Sequence, residues 1–171
     1  MGVRNFSHAH VLNSKIMSRP KVLFLCTGNS CRSQMAEGWA RHLKSDQIDA
    51  CSAGVEPHGM NKLAVQVMKE AGVDISGQRS KHIDEFKDVK LDWVITVCGH
   101  AHETCPMFHG KARVVHVGFD DPPALAKNAK SEEEALMHYR RVRDEIRDFI
   151  EHFEQRVAEA QALYGTRTRA S

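Results

Sequence analysis

No stretch of the 171-residue chain approaches the roughly 20 consecutive apolar residues that a membrane-spanning helix requires, so no membrane partner is expected. Met1 to Met17 likewise contains no apolar core of the kind that marks a secretory signal. Charge of one sign is not in excess either. The 24 Lys plus Arg against 22 Asp plus Glu leave a formal net charge of +2. That is far from the clustered positive surplus needed to neutralise a phosphate backbone, and nucleic-acid binding is not expected. Missing too is an even cysteine count. Five cysteines fit poorly with a secreted disulfide scaffold and point to a reducing cytoplasmic setting, where thiols serve chemistry, metal binding or packing. The length suits one domain, and with no evident apolar patch a monomer is expected.

What is present is an alternation of apolar runs and amphipathic stretches. Residues 1–19 show no apolar periodicity and read as a flexible extension, followed by a folded domain over 20–160 and a flexible tail over 161–171. Lys21–Leu25, Asp49–Val55, Asp92–Val97 and Arg113–Val117 read as short strands. Met35, Ala36, Trp39, Ala40 and Leu43 recur at spacings of three and four, as do Leu63, Ala64, Val67, Met68 and Ala71 ahead of Gly72. A long helix begins at Ser131, which with Glu134 forms a capping box, and its buried stripe runs from Leu136 through Phe149 and Phe153 to Val157. The predicted fold class is α/β: a single four-stranded parallel sheet flanked by helices on both faces, with right-handed crossovers. Ligands of such sheets sit beyond the carboxyl ends of the strands. Cys26, Cys98 and the loop after Val117 all fall there, so they can converge although distant in sequence.

Cys26-Thr27-Gly28-Asn29-Ser30-Cys31-Arg32-Ser33 lies between the first strand and the first helix. A loop winding into a helix N-terminus aims several backbone N–H groups at one point, where the helix dipole adds partial positive charge. Such a point stabilises a thiolate or a tetrahedral oxyanion. Arg32 adds a planar fork of donors, Gly28 and Asn29 suit the positive φ that such a nest needs, and Ser33 can donate to the Cys26 sulfur. Taken alone, Cys26 would more often be a buried strand-end cysteine. The joint pattern of strand, C-x5-R, Ser and helix reverses that reading and makes it a nucleophile. Cys31 and Cys51 read as packing residues.

In Gly118-Phe119-Asp120-Asp121-Pro122-Pro123 the prolines stiffen a loop and restrict the residue before them, holding the Asp121 carboxyl where an acid could protonate a leaving oxygen. Asp-Pro is also an ordinary turn, and only the neighbouring cradle makes an acid expected. Asp120 is expected to bind loop backbone. Cys98 and Cys105 bracket the loop after the third strand. Two thiols there suit a nucleophile that ends its reaction oxidised, provided that Cys98 reaches Cys26 and Cys105 reaches Cys98. As a helix, 98–105 would hold its two sulfurs ~10 Å apart, so the segment must loop out or unwind and is expected to be mobile. Unrelated thiols remain an alternative, as does a zinc site of Cys98, His100, His102 and Cys105, whose spacing matches no common finger. His58 or His82 could border the pocket.

The combination of CTGNSCRSQMAEG from Cys26, SAG at Ser52 to Gly54, VCGHAHETCPM from Val97 and GFDDP from Gly118 resembles the thioredoxin-coupled arsenate reductases, which share the low-molecular-weight protein tyrosine phosphatase fold. The resemblance runs from about Lys21 to Phe153. It implies Cys26 as nucleophile, Arg32 as oxyanion ligand, Ser33 as its support, Asp121 as acid, and Cys98 and Cys105 as the resolving pair. Thr27, Gly28, Asn29, Ser30, Cys31 and Arg32 would hold arsenate, with phosphate or sulfate as mimics. It further implies a Cys26–Cys98 disulfide followed by a Cys98–Cys105 disulfide, reduced by thioredoxin with thioredoxin reductase and NADPH upstream and no bound cofactor. Some members build a monovalent-cation site from a Glu, a Ser and an Asp. Glu37 and Ser52 match, but Lys81 stands at the acidic position, so no potassium requirement is expected. The rival readings are a phosphatase acting on phosphotyrosine or a small phosphoester, and a thiol-based metal or arsenic sensor.

Overall fold

Side-chain alternation in Lys21–Cys26, β1, sends Val22, Phe24 and Cys26 to one apolar cluster and Leu23 and Leu25 to another, so this strand is covered on both sides. The computed structural model describes residues 18–99 and 108–164. Around β1 lie Asp49–Gly54 (β2), Trp93–Thr96 (β3) and Arg113–His116 (β4), all parallel in the order β2-β1-β3-β4. This is the expected four-stranded sheet.

The helices are Arg32–Leu43 (α1), Lys62–Glu70 (α2), Pro122–Ala126 (α3), Glu132–Glu151 (α4) and Phe153–Tyr164 (α5). The apolar faces of α1, α2, α4 and α5 meet Val22, Phe24, Ile95 and Val115 in the larger cluster. The opposite cluster of Leu23, Leu25, Ala53 and Val94 is closed, among the described residues, by a 3-10 turn at Ile83–Phe86 and by Phe108 and Ala112. Ser131 caps α4 as expected, its hydroxyl accepting from Glu134 N–H at 3.1 Å, and Gly72 takes φ +86° just past α2.

The structure departs from three expectations. Pro122 and Pro123 do not stiffen an irregular loop but open α3, since proline lacks the N–H that a first helical turn leaves unpaired and has the right φ. The long C-terminal helix is two helices, turned at His152 (φ −109°, ψ 33°). The turn lets α4 pack on α1, α2 and α3 while α5 packs on β4, and the apolar stripe continues across it through Phe153, Val157 and Ala160. α5 runs to Tyr164, past the point where the tail was expected to begin. Among the described residues no helix is long and apolar enough to cross a membrane.

Candidate active site

β1 delivers Cys26 to the carboxyl edge of the sheet, and Thr27–Cys31 wraps from there into α1. The N-terminus of α1 has no side-chain cap and no acidic residue in its first turn. In α4, by contrast, Ser131 and three glutamates fill those roles. The first N–H groups of α1 and their partial positive charge therefore stay available for an anion. Gly54, at the end of β2, makes room for the loop: a Cβ there would lie 2.4 Å from Thr27 O and 2.8 Å from Asn29 N. Both are backbone atoms, so Gly54→Ala must displace the loop. We expect it to cost about 1–3 kcal/mol of stability and to weaken phosphate binding, read by thermal melting and by phosphate titration.

Asn29 is the hub of the cradle. It takes φ 44°, as expected. Gly28 was also expected to adopt a positive φ and does not; it lies instead beneath the His58 ring, whose Nδ1 would be 2.8 Å from a Cβ at this position. Asn29 Oδ1 accepts from Lys81 N–H at 2.8 Å and from Gln34 Nε2 at 3.0 Å, which settles the amide's orientation. Its Nδ2 then donates to Ser33 Oγ at 2.8 Å and to Ser52 Oγ at 2.9 Å. With its oxygen already accepting, the Ser33 hydroxyl is free to donate to Cys26 Sγ, 2.9 Å away, and Asn29 N–H donates to the same sulfur at 3.2 Å. Two donors thus converge on one buried sulfur, the arrangement that favours a reactive nucleophile.

Behind Asn29 the network ends in charge. Ser52 donates to the buried Glu37 carboxylate, which also pairs with Arg41 at 2.6 Å and with Lys81 Nζ at 3.4 Å. Lys81 therefore supplies a positive charge beside Glu37 and Ser52, the two residues that match the cation site. Turnover in potassium and sodium buffers should agree within about twofold, and strong saturable stimulation by potassium would contradict this electrostatic reading. Lys81→Met should impair turnover, because Glu37 would lose a partner.

Arg32, 8% exposed, sends Nη1 to Phe119 O at 3.0 Å and Nη2 to Asp121 Oδ1 at 3.1 Å. The guanidinium fork and the acid, 89 positions apart in sequence, thus meet at the mouth of the cradle. A cavity of about 480 Å³ opens there, lined by Cys26, Thr27, Gly28, Ser30, Cys31, Arg32 and Asp121 on the expected side. The other wall, His58, Gly59, Met60 and Asn61, comes from the segment after β2. It is sewn to the cradle by backbone bonds from Glu56 N to Thr27 O, His58 N to Gly28 O and Asn61 N to Ser30 O. Of the two histidines considered, His58 lines the cavity; His82 instead caps the 3-10 turn. Met60 and Asn61 carry no sequence signal, since backbone pairing brings them in. Asn61 also caps α2 and donates to Tyr139 Oη at 3.1 Å.

The remaining thiols divide by environment. Cys31 lines the cavity, yet burial first and the nearby Asp121 second push its thiol pKa far up, so it stays protonated. Burial, with Glu37 adding to it, raises Cys51 to about 12. Both fit the packing role expected for them. Cys98 has no exposed surface and lies in the same apolar cluster as Cys26. It follows β3, the neighbour of β1, and Val97 N–H bonds Leu25 O at 2.9 Å, so the two thiols stand at adjacent strand ends. Cys105, His100 and His102 lie outside the described residues, and so do residues 100–105 of the segment expected to be mobile. Asp120, expected to bind loop backbone, forms an ion pair with Arg141 of α4 at 2.9 Å.

Comparison with known proteins agrees with this geometry. Residues 21–163 match the family model of the low molecular weight phosphotyrosine protein phosphatase. An arsenate reductase of Halalkalibacterium halodurans is 50% identical over 137 residues, covering 80% of this chain and 96% of that protein. The solved structure of an arsenate reductase in the phosphate binding state superposes with a TM-score of 0.63 at 31% identity, covering 81% of this chain and 98% of the other. A thioredoxin-dependent arsenate reductase of Corynebacterium glutamicum superposes with a TM-score of 0.54 at 25% identity, covering 80% of this chain and 63% of the other. With a family model matching nearly the whole folded region, on a cradle that holds thiol, guanidinium and acid together, the chain belongs to the low molecular weight phosphotyrosine protein phosphatase family.

Proposed function

We propose that this protein reduces arsenate to arsenite through a three-cysteine relay regenerated by thioredoxin. The observation that carries the reading is the second buried thiol, Cys98, standing beside the nucleophile's strand end in the same apolar cluster. Phosphoester hydrolysis has no use for it. The naming of relatives 50% identical as arsenate reductases supports the substrate, and the thioredoxin-dependent neighbour supports the reductant.

Arsenate enters as a tetrahedral oxyanion, held by the loop and α1 N–H groups and by Arg32. The Cys26 sulfur attacks arsenic(V), and Asp121 protonates the departing oxygen, which leaves as water. Cys98, as thiolate, then attacks Cys26 Sγ. A sulfur–sulfur bond forms, the sulfur–arsenic bond breaks, and its electron pair goes to arsenic, which leaves as arsenite. Cys105 attacks Cys98, releasing Cys26 as thiolate, and the dithiol of thioredoxin reduces the resulting Cys98–Cys105 disulfide with electrons supplied by NADPH through thioredoxin reductase. In this reading the protein acts as a cytoplasmic monomer and needs no bound cofactor.

Phosphoester hydrolysis is the second reading, favoured by the completeness of Cys26, Arg32 and Asp121 for that reaction alone. The fully reduced protein mixed with arsenate, with thioredoxin left out, should release one equivalent of arsenite and lose two titratable thiols. Absence of arsenite, together with hydrolysis of p-nitrophenyl phosphate unaffected by Cys98→Ala, would assign the protein to the phosphatases instead.

A further inference from the structure

Gln34, the third residue of α1, has no exposed surface, and neither arsenate reduction nor phosphoester hydrolysis uses it directly. A glutamine so deeply buried needs its polar atoms paired. Its Nε2 donates to Asn29 O at 3.0 Å, to Asn29 Oδ1 at 3.0 Å and to Arg79 O at 2.9 Å. Two of these acceptors are backbone carbonyls, which cannot donate, so the amide nitrogen has to face them. The amide oxygen points the other way, where Gln78 Nε2 donates to it at 2.7 Å and to Gln34 O at 3.0 Å. A glutamine at the third helical position often turns its oxygen back onto the first free N–H groups of the helix. Here that oxygen is committed to Gln78, so Gln34 takes none of the donors that an anion would use.

The carbonyls of the cradle show what Gln34 does instead. A loop that turns its N–H groups inward sends its carbonyls outward into the protein, where each needs a donor. Thr27 O, Gly28 O and Ser30 O are met by the backbone N–H groups of Glu56, His58 and Asn61. Asn29 is the exception. With φ at 44° its carbonyl is met by no backbone N–H, and among the described residues its donors are the side chains of Gln34 and Ser80. Asn29 has no exposed surface, so bulk water cannot take their place.

We propose that Gln34 is a positioning residue for the oxyanion cradle: by pairing the buried Asn29 carbonyl, it holds Asn29 in the left-handed conformation that aims the loop N–H groups at the anion and the Asn29 N–H at Cys26 Sγ. A left-handed backbone is unfavourable for a residue with a side chain, and it persists where its surroundings fix it. The Asn29 side-chain amide has a second support, since Lys81 N–H also donates to its Oδ1 at 2.8 Å. The carbonyl has no backbone support, so the loss of Gln34 loosens the main chain of the loop and leaves the Asn29 amide oriented. Gln78 acts one step further out, by committing the oxygen of Gln34. The role belongs to the cradle and holds for any tetrahedral oxyanion, whichever reaction follows.

The test compares the full chain with its Gln34→Met variant, which keeps the length of the side chain but neither donates nor accepts. Two quantities are read well below the melting temperature of either protein: the dissociation constant of inorganic phosphate, and the rate at which iodoacetamide alkylates Cys26, followed by peptide mapping. A misplacement on the order of 1 Å costs roughly 10²-fold, and with Ser80 still in place we expect Gln34→Met to weaken phosphate binding and slow alkylation about tenfold each. Ser80→Ala, at a half-buried position, removes the other donor to the same carbonyl and should change both quantities in the same direction by about threefold. A Gln34→Met protein that melts at a lower temperature but keeps both quantities within about twofold of wild type would reduce Gln34 to packing and overturn the proposal. Should Gln34→Met fail to fold, Ser80→Ala decides: unchanged phosphate affinity and alkylation there would equally overturn it. Neither readout involves arsenate, so failure here leaves arsenate reduction standing, and failure to release arsenite leaves the role of Gln34 standing.

Discussion

Exchange of Cys26 for Ser should lower arsenate turnover by roughly 10⁴-fold or more, measured as arsenite produced per protein per unit time. The loss follows from position as much as from chemistry. Cys26 Sγ is the atom on which Ser33 Oγ and Asn29 N–H converge, and the cavity opens beside it. A serine oxygen in the same place keeps the hydrogen bonds but is a poor nucleophile without a base. It also cannot take part in thiol–disulfide exchange. No neighbouring thiol can take over. Cys31 shares the loop and lines the same cavity, but burial and Asp121 hold its thiol protonated. Phosphate should still bind to the Cys26→Ser protein, because the N–H groups of the loop and Arg32 are untouched. Residual turnover above a tenth of wild type would remove Cys26 from the mechanism.

Arg32→Lys should lower kcat/KM for arsenate by about 10²–10³-fold although the charge is kept. The guanidinium now divides its fork, with Nη1 on Phe119 O and Nη2 on Asp121. That division holds the loop after β4 against the cradle as well as offering charge to the substrate. A lysine ammonium is one point donor on a flexible stem and cannot reproduce two directed bonds. Its loss should therefore affect both oxyanion affinity and the placement of the acid. Parallel titrations with phosphate would show the binding part, and single-turnover rates at saturating arsenate would show the remainder. Asp121→Asn separates the two: it should lower the rate while leaving binding intact or tighter, since an internal anion is removed from the fork. A fall in phosphate affinity in Asp121→Asn equal to that in Arg32→Lys would contradict this division of roles.

Much of this site was legible in the chain because its parts follow one another. The apolar run of β1, the turn at Asn29 and the spacing of Met35, Trp39 and Ala40 predict strand, loop and helix, and the structure places them so. The strand ends also announced Cys98 and Asp121, since a parallel sheet gathers its carboxyl ends. What escaped was whatever depends on backbone pairing between distant segments. His58 to Asn61 forms one wall of the cavity, held by main-chain bonds that leave no residue pattern, and of these only His58 stands out in the sequence. Gly54 looked like a motif residue without a reason until the Thr27 carbonyl was found against it. The turn at His152 has neither Gly nor Pro to mark it, and the apolar stripe runs through it unbroken. The ion pair of Asp120 with Arg141 left no trace in the sequence, because Arg141 lies on a helix that the sequence does not place beside the loop. Lys81 was legible as a positive charge in place of an acid, and its ammonium lies 3.4 Å from the buried Glu37 carboxylate.

The most direct test of the relay is NADPH oxidation driven by arsenate in the presence of thioredoxin and thioredoxin reductase, comparing wild type with Cys98→Ala and Cys105→Ala. Wild type should turn over continuously. Cys98→Ala should fail to release arsenite, whereas Cys105→Ala should release at most one equivalent and then stop with Cys26 and Cys98 joined. Full multiple turnover by both variants would contradict the three-cysteine account.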